Sequence, residues 1–336
     1  MAGTGSILAL ALAAQAAPLV PPASSSIAPL VPQAEASAAA TAPAAADELA
    51  FTTDRYDRMT VEVRVAGQGP YRFLVDTGAD RSAVSRALAD QLSLERRSGV
   101  TLHSAAGISQ VAVVRVPRLE FETRAVHTLD APILEAADMG ADGILGVDTL
   151  RSQRIVIDFK NDRLYLTPTS RRERRLDAGE IIVTGRLKRG HLILTNAEID
   201  GENVTIVIDT GAQMSIGNNA LLKVLQRNRR LSVPVPLEQV AVTGELLTGE
   251  LYIAEQLQFD GVTMRNLGIM FADAETFRAI GRTDSPTLLL GMNALRGFDQ
   301  VEIDLASKKL RLRIPRVSLI REPVIAGQDA APSVGR

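Results

Sequence analysis

The 336-residue sequence contains no cysteine and no tryptophan, and its only histidines are His103, His127 and His191, which lie far apart. Without cysteine the chain cannot form disulfides, Cys-ligated metal sites or a thiol nucleophile. Three scattered histidines offer little material for a serine-histidine-aspartate triad or a histidine-rich metal site. The 37 basic and 39 acidic residues nearly balance, which argues against a nucleic-acid partner. Carboxylates remain as the well-supplied catalytic groups, and we expect no metal and no cofactor.

The N-terminal residues are typical of targeting and linker sequence rather than of a folded domain. Residues 7–17 form an apolar run that is too short to span a bilayer and ends in Ala14-Gln15-Ala16, a pattern suited to signal peptidase. No Lys or Arg precedes the run, so the alternative is an alanine-rich tail. We expect a signal peptide at 1–17, a periplasmic or otherwise exported protein, and an Ala/Pro-rich linker at 18–47.

An internal repeat organises the rest of the chain. Residues 71–79 and 204–212 are both apolar strands that run into the tetrapeptide D-T-G-A. Further along, residues 143–148 (GILGVD) correspond to residues 288–293 (LLLGMN), and a strand pair with a short turn closes each unit. The chain therefore contains two copies of one structural unit.

This repeat sets the expected domain boundaries. We expect an N-terminal lobe at 48–167, a linker at 168–180, a C-terminal lobe at 181–318 and a flexible tail at 319–336. The linker carries a run of arginines, which is more typical of a solvated connector than of a docking or self-cleavage site.

The patterning within each lobe predicts mostly strand. Residues 61–65 alternate apolar and charged, as in a half-buried strand. Apolar residues at 84, 88 and 92 predict a short amphipathic helix, and residues 221–225 predict its counterpart. Glycine-containing hairpins are expected at 100–121 and 240–259, the second one longer, and both could fold over a cleft. For His103, in the first hairpin, we expect an exposed or capping role; the alternative is a substrate contact.

The duplicated D-T-G motif indicates a specific chemistry. A carboxylate at the end of an apolar strand is held rigidly, and the following glycine leaves room for a close neighbour. If Asp76 and Asp209 approach each other closely, both cannot be ionised, so the pair holds one proton. Such a pair supplies a general base and a general acid from identical residues. One copy alone would be a strand-to-turn junction, but two copies in matching contexts favour a catalytic pair.

These motifs resemble those of the aspartic proteases of the retropepsin and pepsin clan. Residues 73–85 (FLVDTGADRSAVS) are especially similar to the retropepsin form, and the likeness extends over residues 55 to 315. Its arrangement of two lobes in one exported chain resembles bacterial periplasmic aspartyl proteases. The resemblance implies an all-β, bilobal acid-protease fold, with two closed β-barrel lobes related by pseudo-twofold symmetry.

The resemblance also implies roles for individual residues. Asp76 and Asp209 would be catalytic, and Thr77 and Thr210 would grip each other across the lobes. Four glycines, Gly78, Gly211, Gly146 and Gly291, would support the catalytic loops, with polar Asp148 and Asn293 at the helix starts behind them. The first hairpin lacks the tyrosine of pepsin-type enzymes, so the flap assignment at 102–108 is positional. Asp80 is replaced by Gln213 in the second lobe, which predicts asymmetric substrate binding.

The sequence thus predicts an aspartic endopeptidase that hydrolyses protein or peptide substrates with a water activated by one Asp from each lobe. The alternative is an inactive peptide-binding module or adaptor that kept the fold. Because both D-T-G copies lie in one chain, we expect a monomer in which the lobes pair intramolecularly.

Overall fold

The computed structural model describes residues 59–121, 124–169, 179–227 and 231–315, together with three earlier strands at Ser6–Leu8, Leu12–Ala14 and Asp47–Thr53. The predicted Ala/Pro-rich linker, most of the inter-lobe linker with its arginines, and the C-terminal tail lie outside the described residues. No described helix is long and apolar enough to cross a membrane.

The described chain is mostly β, in two lobes that repeat one order of elements. The N-terminal segments and lobe one comprise β1 Ser6–Leu8, β2 Leu12–Ala14, β3 Asp47–Thr53, β4 Met59–Val65, β5 Gln68–Val75, β6 Ala83–Ser85, α1 Arg86–Gln91, β7 Glu95–His103, β8 Ile108–Phe121, β9 Arg124–Leu134, α2 Ala136–Met139, β10 Gly143–Leu145, α3 Val147–Leu150, β11 Gln153–Asp158 and β12 Arg163–Pro168. Lobe two comprises β13 Glu180–Thr184, β14 Arg186–Lys188, β15 His191–Ile199, β16 Glu202–Ile208, β17 Ser215–Gly217, α4 Asn219–Arg227, β18 Val235–Ala241, β19 Leu246–Phe259, β20 Val262–Phe271, α5 Glu275–Ala279, β21 Thr287–Leu290, α6 Met292–Leu295, β22 Gln300–Asp304 and β23 Lys309–Arg313.

Each lobe closes a ring of paired strands. In lobe one the order is β8-β9-β6-β10-β5-β4, and a further pairing of β4 with β8 completes the ring. In lobe two the equivalent order is β19-β20-β17-β21-β16-β15, completed by β15 with β19. Within each ring every strand is paired on both sides, and the ring surrounds an apolar interior. The mostly β, two-lobed fold expected from the repeat is confirmed.

A shared sheet joins the lobes. Strand β11 pairs antiparallel with β22, so the closing hairpins of the two units form one six-stranded sheet in the order β3-β12-β11-β22-β23-β13. On this sheet the half-buried Arg154 lies 3.1 Å from Glu302 and 3.2 Å from Asp304. This contact spans both lobes, because Arg154 belongs to β11 and the two acids belong to β22.

Two of the local predictions are confirmed, and one helix start differs. Strand β4 alternates buried and exposed as expected, and α4 covers the predicted residues 221–225. The first helix, however, begins at Arg86, with Ser85 as its N-cap: the Ser85 hydroxyl accepts a bond from the Leu88 N–H. Val84 lies instead in β6, between β9 and β10. Tertiary strand pairing outweighs the helical spacing there.

Candidate active site

Asp76 is fixed at the end of β5 by backbone groups. Its N–H donates to the carbonyl of Leu145 on the neighbouring strand β10, at 3.0 Å. Its Oδ1 accepts bonds from the N–H groups of Gly78 at 2.7 Å and Ala79 at 3.0 Å. The side chain is fully buried. The carboxyl group therefore has one orientation, set by the turn that follows it.

Asp209 is held in the same way at the end of β16. Its N–H donates to Leu290 at 3.1 Å, and its Oδ1 accepts from Gly211 at 2.9 Å and Ala212 at 3.1 Å. It is also fully buried. The two D-T-G copies thus form matching loops, and the fold brings these loops together.

The threonines of the two loops form a reciprocal hydrogen-bond grip. The Thr77 N–H donates to Thr210 Oγ1 at 3.0 Å, and the Thr210 hydroxyl donates to the Val75 carbonyl at 2.8 Å. In return, the Thr210 N–H donates to Thr77 Oγ1 and the Thr77 hydroxyl donates to the Ile208 carbonyl, both at 3.2 Å. Both threonines are buried. These bonds tie the two aspartate loops to each other across the lobe boundary.

Gly211 shows how closely the loops approach. A β-carbon added there would lie 2.3 Å from Asp76 Cγ and within 2.5 Å of both Asp76 carboxylate oxygens. No side chain fits in that space, so the Asp76 carboxyl group lies directly against the loop of Asp209. The glycine of D-T-G is required here by packing rather than by a positive φ angle.

The same proximity changes the electrostatics of Asp209. Burial, and after it the negative charge of Asp76, raise the pKa of Asp209 well above that of a free aspartate. The bonds from Gly211 and Ala212 oppose this shift but are the smaller effects. Asp209 therefore keeps its proton in a pH range where an exposed aspartate is ionised.

The later glycine motifs support the loops from behind, as expected. A β-carbon on Gly146 would lie 2.7 Å from the Arg81 carbonyl oxygen and 2.9 Å from that of Ala79. On Gly291 it would lie 2.7 Å from the Met214 carbonyl oxygen and 2.8 Å from that of Ala212. Each glycine allows a short helix, α3 or α6, to begin against the back of the D-T-G loop.

Sequence analysis missed the serine that links these parts. Ser82 Oγ accepts from the Gly146 N–H at 3.0 Å and donates to Asp148 Oδ1 at 2.7 Å. In lobe two, Ser215 Oγ accepts from Gly291 at 3.1 Å and donates to Asn293 Oδ1 at 2.8 Å. The signal was present, since a serine follows D-T-G-A after two residues in both copies.

Two hairpins, β7–β8 in lobe one and β18–β19 in lobe two, end close to each other. The prediction of a longer second hairpin is wrong: each tip has four residues, 104–107 and 242–245, and both second strands have 14 residues. Gly249 lies within β19 rather than in the turn. The first assignment at 102–108 contains the tip.

Each hairpin tip packs an apolar residue into the core of the other lobe. Ala105 of the first tip is buried in a cluster of lobe-two residues that includes Val207 and Leu289. Val242 of the second tip is buried among lobe-one residues that include Leu74 and Ile144. Polar contacts join the tips as well: Thr243 Oγ1 lies 3.1 Å from Ser104 Oγ, and the Ser109 hydroxyl donates to Glu245 at 2.9 Å.

Two of the histidines make contacts across the lobes. His103 Nδ1 lies 3.1 Å from Glu275 Oε1 on α5, and its side chain is only 20% exposed. The expectation of an exposed or capping histidine is therefore wrong, because the hairpin carries His103 onto lobe two. His191 is fully buried in β15, with its Nε2 3.2 Å from Asp80 Oδ1. Asp80 directly follows the first D-T-G-A, and Gln213 in the second lobe lacks this charge.

No group of acidic and histidine side chains that could hold a metal ion occurs among the residues the structure describes. The carboxylates of the site are instead held by backbone N–H groups and hydroxyls, as detailed above. His127, the third histidine, lies on β9.

Comparison with protein families agrees with this geometry. A family model described as "gag-polyprotein putative aspartyl protease" matches residues 61–152, and another described as "Aspartyl protease" matches residues 195–294. Each match contains one D-T-G loop, its hairpin and the supporting glycine. No curated protein gives a significant match to the chain. The chain belongs to the retropepsin-like aspartyl proteases and carries two such domains in tandem.

Proposed function

We propose that this chain is an aspartic endopeptidase in which Asp76 and Asp209 act as one catalytic pair. The observation that carries the proposal is the contact of the Asp76 carboxyl group with the Gly211 backbone, which leaves no room for a side chain between the loops. The raised pKa of Asp209 agrees with it, since a pair that shares one proton needs one carboxyl group to stay protonated.

In the proposed reaction one aspartate of the pair is ionised while the other is protonated. Asp76, as the carboxylate, accepts a proton from a water molecule, whose oxygen attacks the carbonyl carbon of the peptide bond. Asp209, as the acid, donates its proton toward the carbonyl oxygen, giving a tetrahedral diol. The proton on Asp76 then passes to the peptide nitrogen, the carbon–nitrogen bond breaks, and a carboxylic acid and an amine leave. As this bond breaks, one hydroxyl group of the diol gives its proton to Asp209, which completes the carboxylic acid and restores the pair.

Hydrolysis of a protein probe tests this proposal. Fluorescein-labelled casein is incubated with the full chain, with Asp76→Asn and Asp209→Asn, and with Asp260→Asn as a control on an exposed turn. We expect cleavage by the parent and control chains and a loss of at least about a hundredfold in each dyad variant. Cleavage at equal rates by all four proteins contradicts the proposal. Binding of casein fragments without cleavage by any of them favours the inactive peptide-binding module instead.

We further propose that the working unit is one chain. The pairing of β11 with β22 and the threonine grip both connect residues of the same polypeptide. An equimolar mixture of the Asp76→Asn and Asp209→Asn chains is expected to stay inactive, because neither chain alone holds two carboxyl groups. Recovery of activity in the mixture means that lobes pair between chains.

Export of the protein also remains our proposal, on the apolar run at 7–17 and the Ala14-Gln15-Ala16 pattern that ends it. N-terminal sequencing of the cell-derived protein is expected to begin near Ala17 or Pro18. Recovery of intact Met1 from the cytoplasmic fraction contradicts it.

A further inference from the structure

His191 is a buried titratable group that the proposed reaction does not use. It is the first residue of β15 in lobe two, and its side chain is fully buried. In the ladder between β15 and β16, Ile193 lies opposite Val207, two residues before Asp209. The same register carried two residues further places His191 at the level of Asp209, where the strand pair leads into the second aspartate loop.

The side chain of His191 reaches the first aspartate loop. Its Nε2 lies 3.2 Å from Oδ1 of Asp80, which belongs to lobe one. Asp80 directly follows Ala79, whose N–H donates to Asp76 Oδ1 at 3.0 Å. The contact therefore joins the strand end beside one catalytic carboxyl group to the loop that orients the other.

This contact is packed on both sides. The Ala79 carbonyl accepts a bond from the Val147 N–H at 2.8 Å. Gly190 of lobe two lies against the same valine, because a β-carbon added there would lie 3.1 Å from Val147 Cγ1. With these neighbours in place, we expect a shift of Asp80 to displace Ala79, and with it the N–H that fixes the first catalytic carboxyl group.

The strength of the contact depends on the charge of the imidazole ring. Neither ring nitrogen of His191 makes a hydrogen bond within the described part of the chain. A neutral ring therefore gains little from Asp80, whereas a protonated ring at 3.2 Å from a carboxylate gains the attraction of opposite charges. Histidine is the side chain that changes its charge between about pH 5 and 8. The attraction between the lobes is thus present in mild acid and is lost as pH rises through that range.

Four other charged or titratable groups lie around His191. Lys188, opposite it on β14, is exposed and has the same sign as a protonated ring. Arg189 donates to a backbone carbonyl at the end of α5. Asp148, on α3, accepts a bond from a serine hydroxyl, and Asp209 is held by the N–H groups of its own loop. Asp80 is the carboxylate that contacts the ring.

We infer that Asp80 and His191 form a pH-dependent clamp between the two aspartate loops, and that His191 is a positioning residue for Asp76. The inference rests on the proposed function for the catalytic role of Asp76. With His191 protonated, the clamp holds the first loop against lobe two and keeps the Asp76 carboxyl group in its orientation. With His191 neutral, the first loop is released. In lobe two the position of Asp80 is taken by Gln213, which carries no charge, so the clamp acts on the first loop.

The first test measures casein hydrolysis as a function of pH. Asp80→Asn and His191→Gln each remove one charge of the clamp, and Asp260→Asn, on an exposed turn, is the matched control for the loss of an acid. At saturating casein we expect each clamp variant to lose at least about tenfold in kcat at about pH 5, but less than about threefold at about pH 8, where the parent chain has lost the clamp as well. An equal loss of kcat at both pH values, or a change in KM alone, overturns the positioning role.

A double-mutant cycle on folding tests the clamp without activity. Asp80→Asn, His191→Gln and the double variant are made in the Asp76→Asn background, which removes the shared proton of the proposed pair. At about pH 5 we expect the two changes together to lower the urea midpoint by less than the sum of their separate effects, because either change alone already breaks the ion pair. At about pH 8 we expect the effects to add. Additive effects at both pH values overturn the clamp.

The outcomes separate this inference from the proposed function. Coupling at about pH 5, with no casein cleavage by any chain in which Asp76 and Asp209 are intact, supports the clamp and contradicts the endopeptidase proposal. Cleavage by the parent chain without such coupling supports the endopeptidase and overturns the clamp. If His191→Gln does not fold, the urea midpoint of Asp80→Asn decides: a loss larger at about pH 5 than at about pH 8 supports the clamp, and a loss independent of pH overturns it.

Discussion

Lobe one and lobe two hold their aspartates with the same backbone bonds but support the loops with different side chains. Behind the first loop, Ser82 binds the carboxylate of Asp148; behind the second, Ser215 binds the amide of Asn293. At the front, Asp80 contacts His191, and its counterpart is the uncharged Gln213. The backbone cradle is the part that the proposed two-carboxylate mechanism needs, and it is equal in both lobes. The side chains around the cradle only need to support it, and these side chains differ in charge between the two lobes.

The largest effect is expected where the lobes touch. Gly211→Ala places a methyl group within about 2.5 Å of the Asp76 carboxyl group, so that carboxyl group or the whole loop has to move. We expect at least about a hundredfold loss of kcat/KM on the casein probe, because displacement of a catalytic group by about 1 Å is enough for that. The control is Gly268→Ala, whose added carbon meets no atom closer than 3.5 Å. Equal losses in the two variants contradict the close approach.

The threonine grip offers the next comparison. Thr210→Val leaves the Thr77 N–H and the Val75 carbonyl without partners, and each buried, unsatisfied group costs about 1–3 kcal/mol. Thr77→Val breaks two longer bonds, both 3.2 Å, and should lower the free energy of unfolding by less. Urea denaturation measures both values, and serine at either position, which keeps the hydroxyl, is the control. A larger loss at Thr77 would reverse the expected order of the lobes.

The pH dependence of stability distinguishes the two aspartates. Because the pKa of Asp209 is raised in the folded chain, the native state holds a proton that the unfolded chain releases. This contribution is fully present below the pKa of an unfolded aspartate, about 4, and is lost as pH rises through the native pKa. Asp209→Asn has no carboxyl group to titrate here, so it does not lose this stability as pH rises. Its free energy of unfolding should therefore increase relative to that of the parent chain as pH rises from about 4.

Asp76→Asn should change the same profile less. It removes the neighbouring charge but leaves the burial of Asp209, which is the larger cause of the raised pKa. Unfolding curves at several pH values between about 3 and 8 compare the parent with both variants. Curves that stay parallel across this range argue against a shared proton.

Some of this organisation could be predicted from the sequence, for a physical reason. The D-T-G loops, the supporting glycines and α4 depend on short-range geometry, which a few residues encode. Val84 could not be placed, because its strand exists only through pairing with β9 and β10. Other features could not be predicted because they depend on which distant parts of the chain come into contact. They are the burial of Ala105 and Val242, the partners of His103 and His191, and the pairing of β1 with β7 and of β2 with β18. No local sequence pattern encodes these contacts.

The smallest expected effect tests whether the supporting partners are interchangeable. Burial raises the pKa of Asp148 despite its bonds from Ser82 and Thr149, so in the folded chain the charged form is disfavoured. By the same sign rule, this carboxyl group contributes stability at low pH and loses it as pH rises through its raised pKa. Asp148→Asn, which copies lobe two, should therefore be neutral or stabilising by less than about 1 kcal/mol at pH 7.

The reverse exchange should be unfavourable. The Asn293 amide donates to the Gly268 carbonyl at 2.9 Å, and Asn293→Asp replaces this donor with a carboxylate oxygen that faces an acceptor. We expect a loss of about 1–3 kcal/mol at pH 7 that shrinks in acid, where the carboxyl group regains a proton to donate. Urea denaturation at pH 4 and pH 7 measures both exchanges. If Asp148→Asn lowers the free energy of unfolding at pH 7 more than Asn293→Asp does, then the charge of Asp148 stabilises the first loop. Lobe one would then require a carboxylate at this position rather than merely tolerate it.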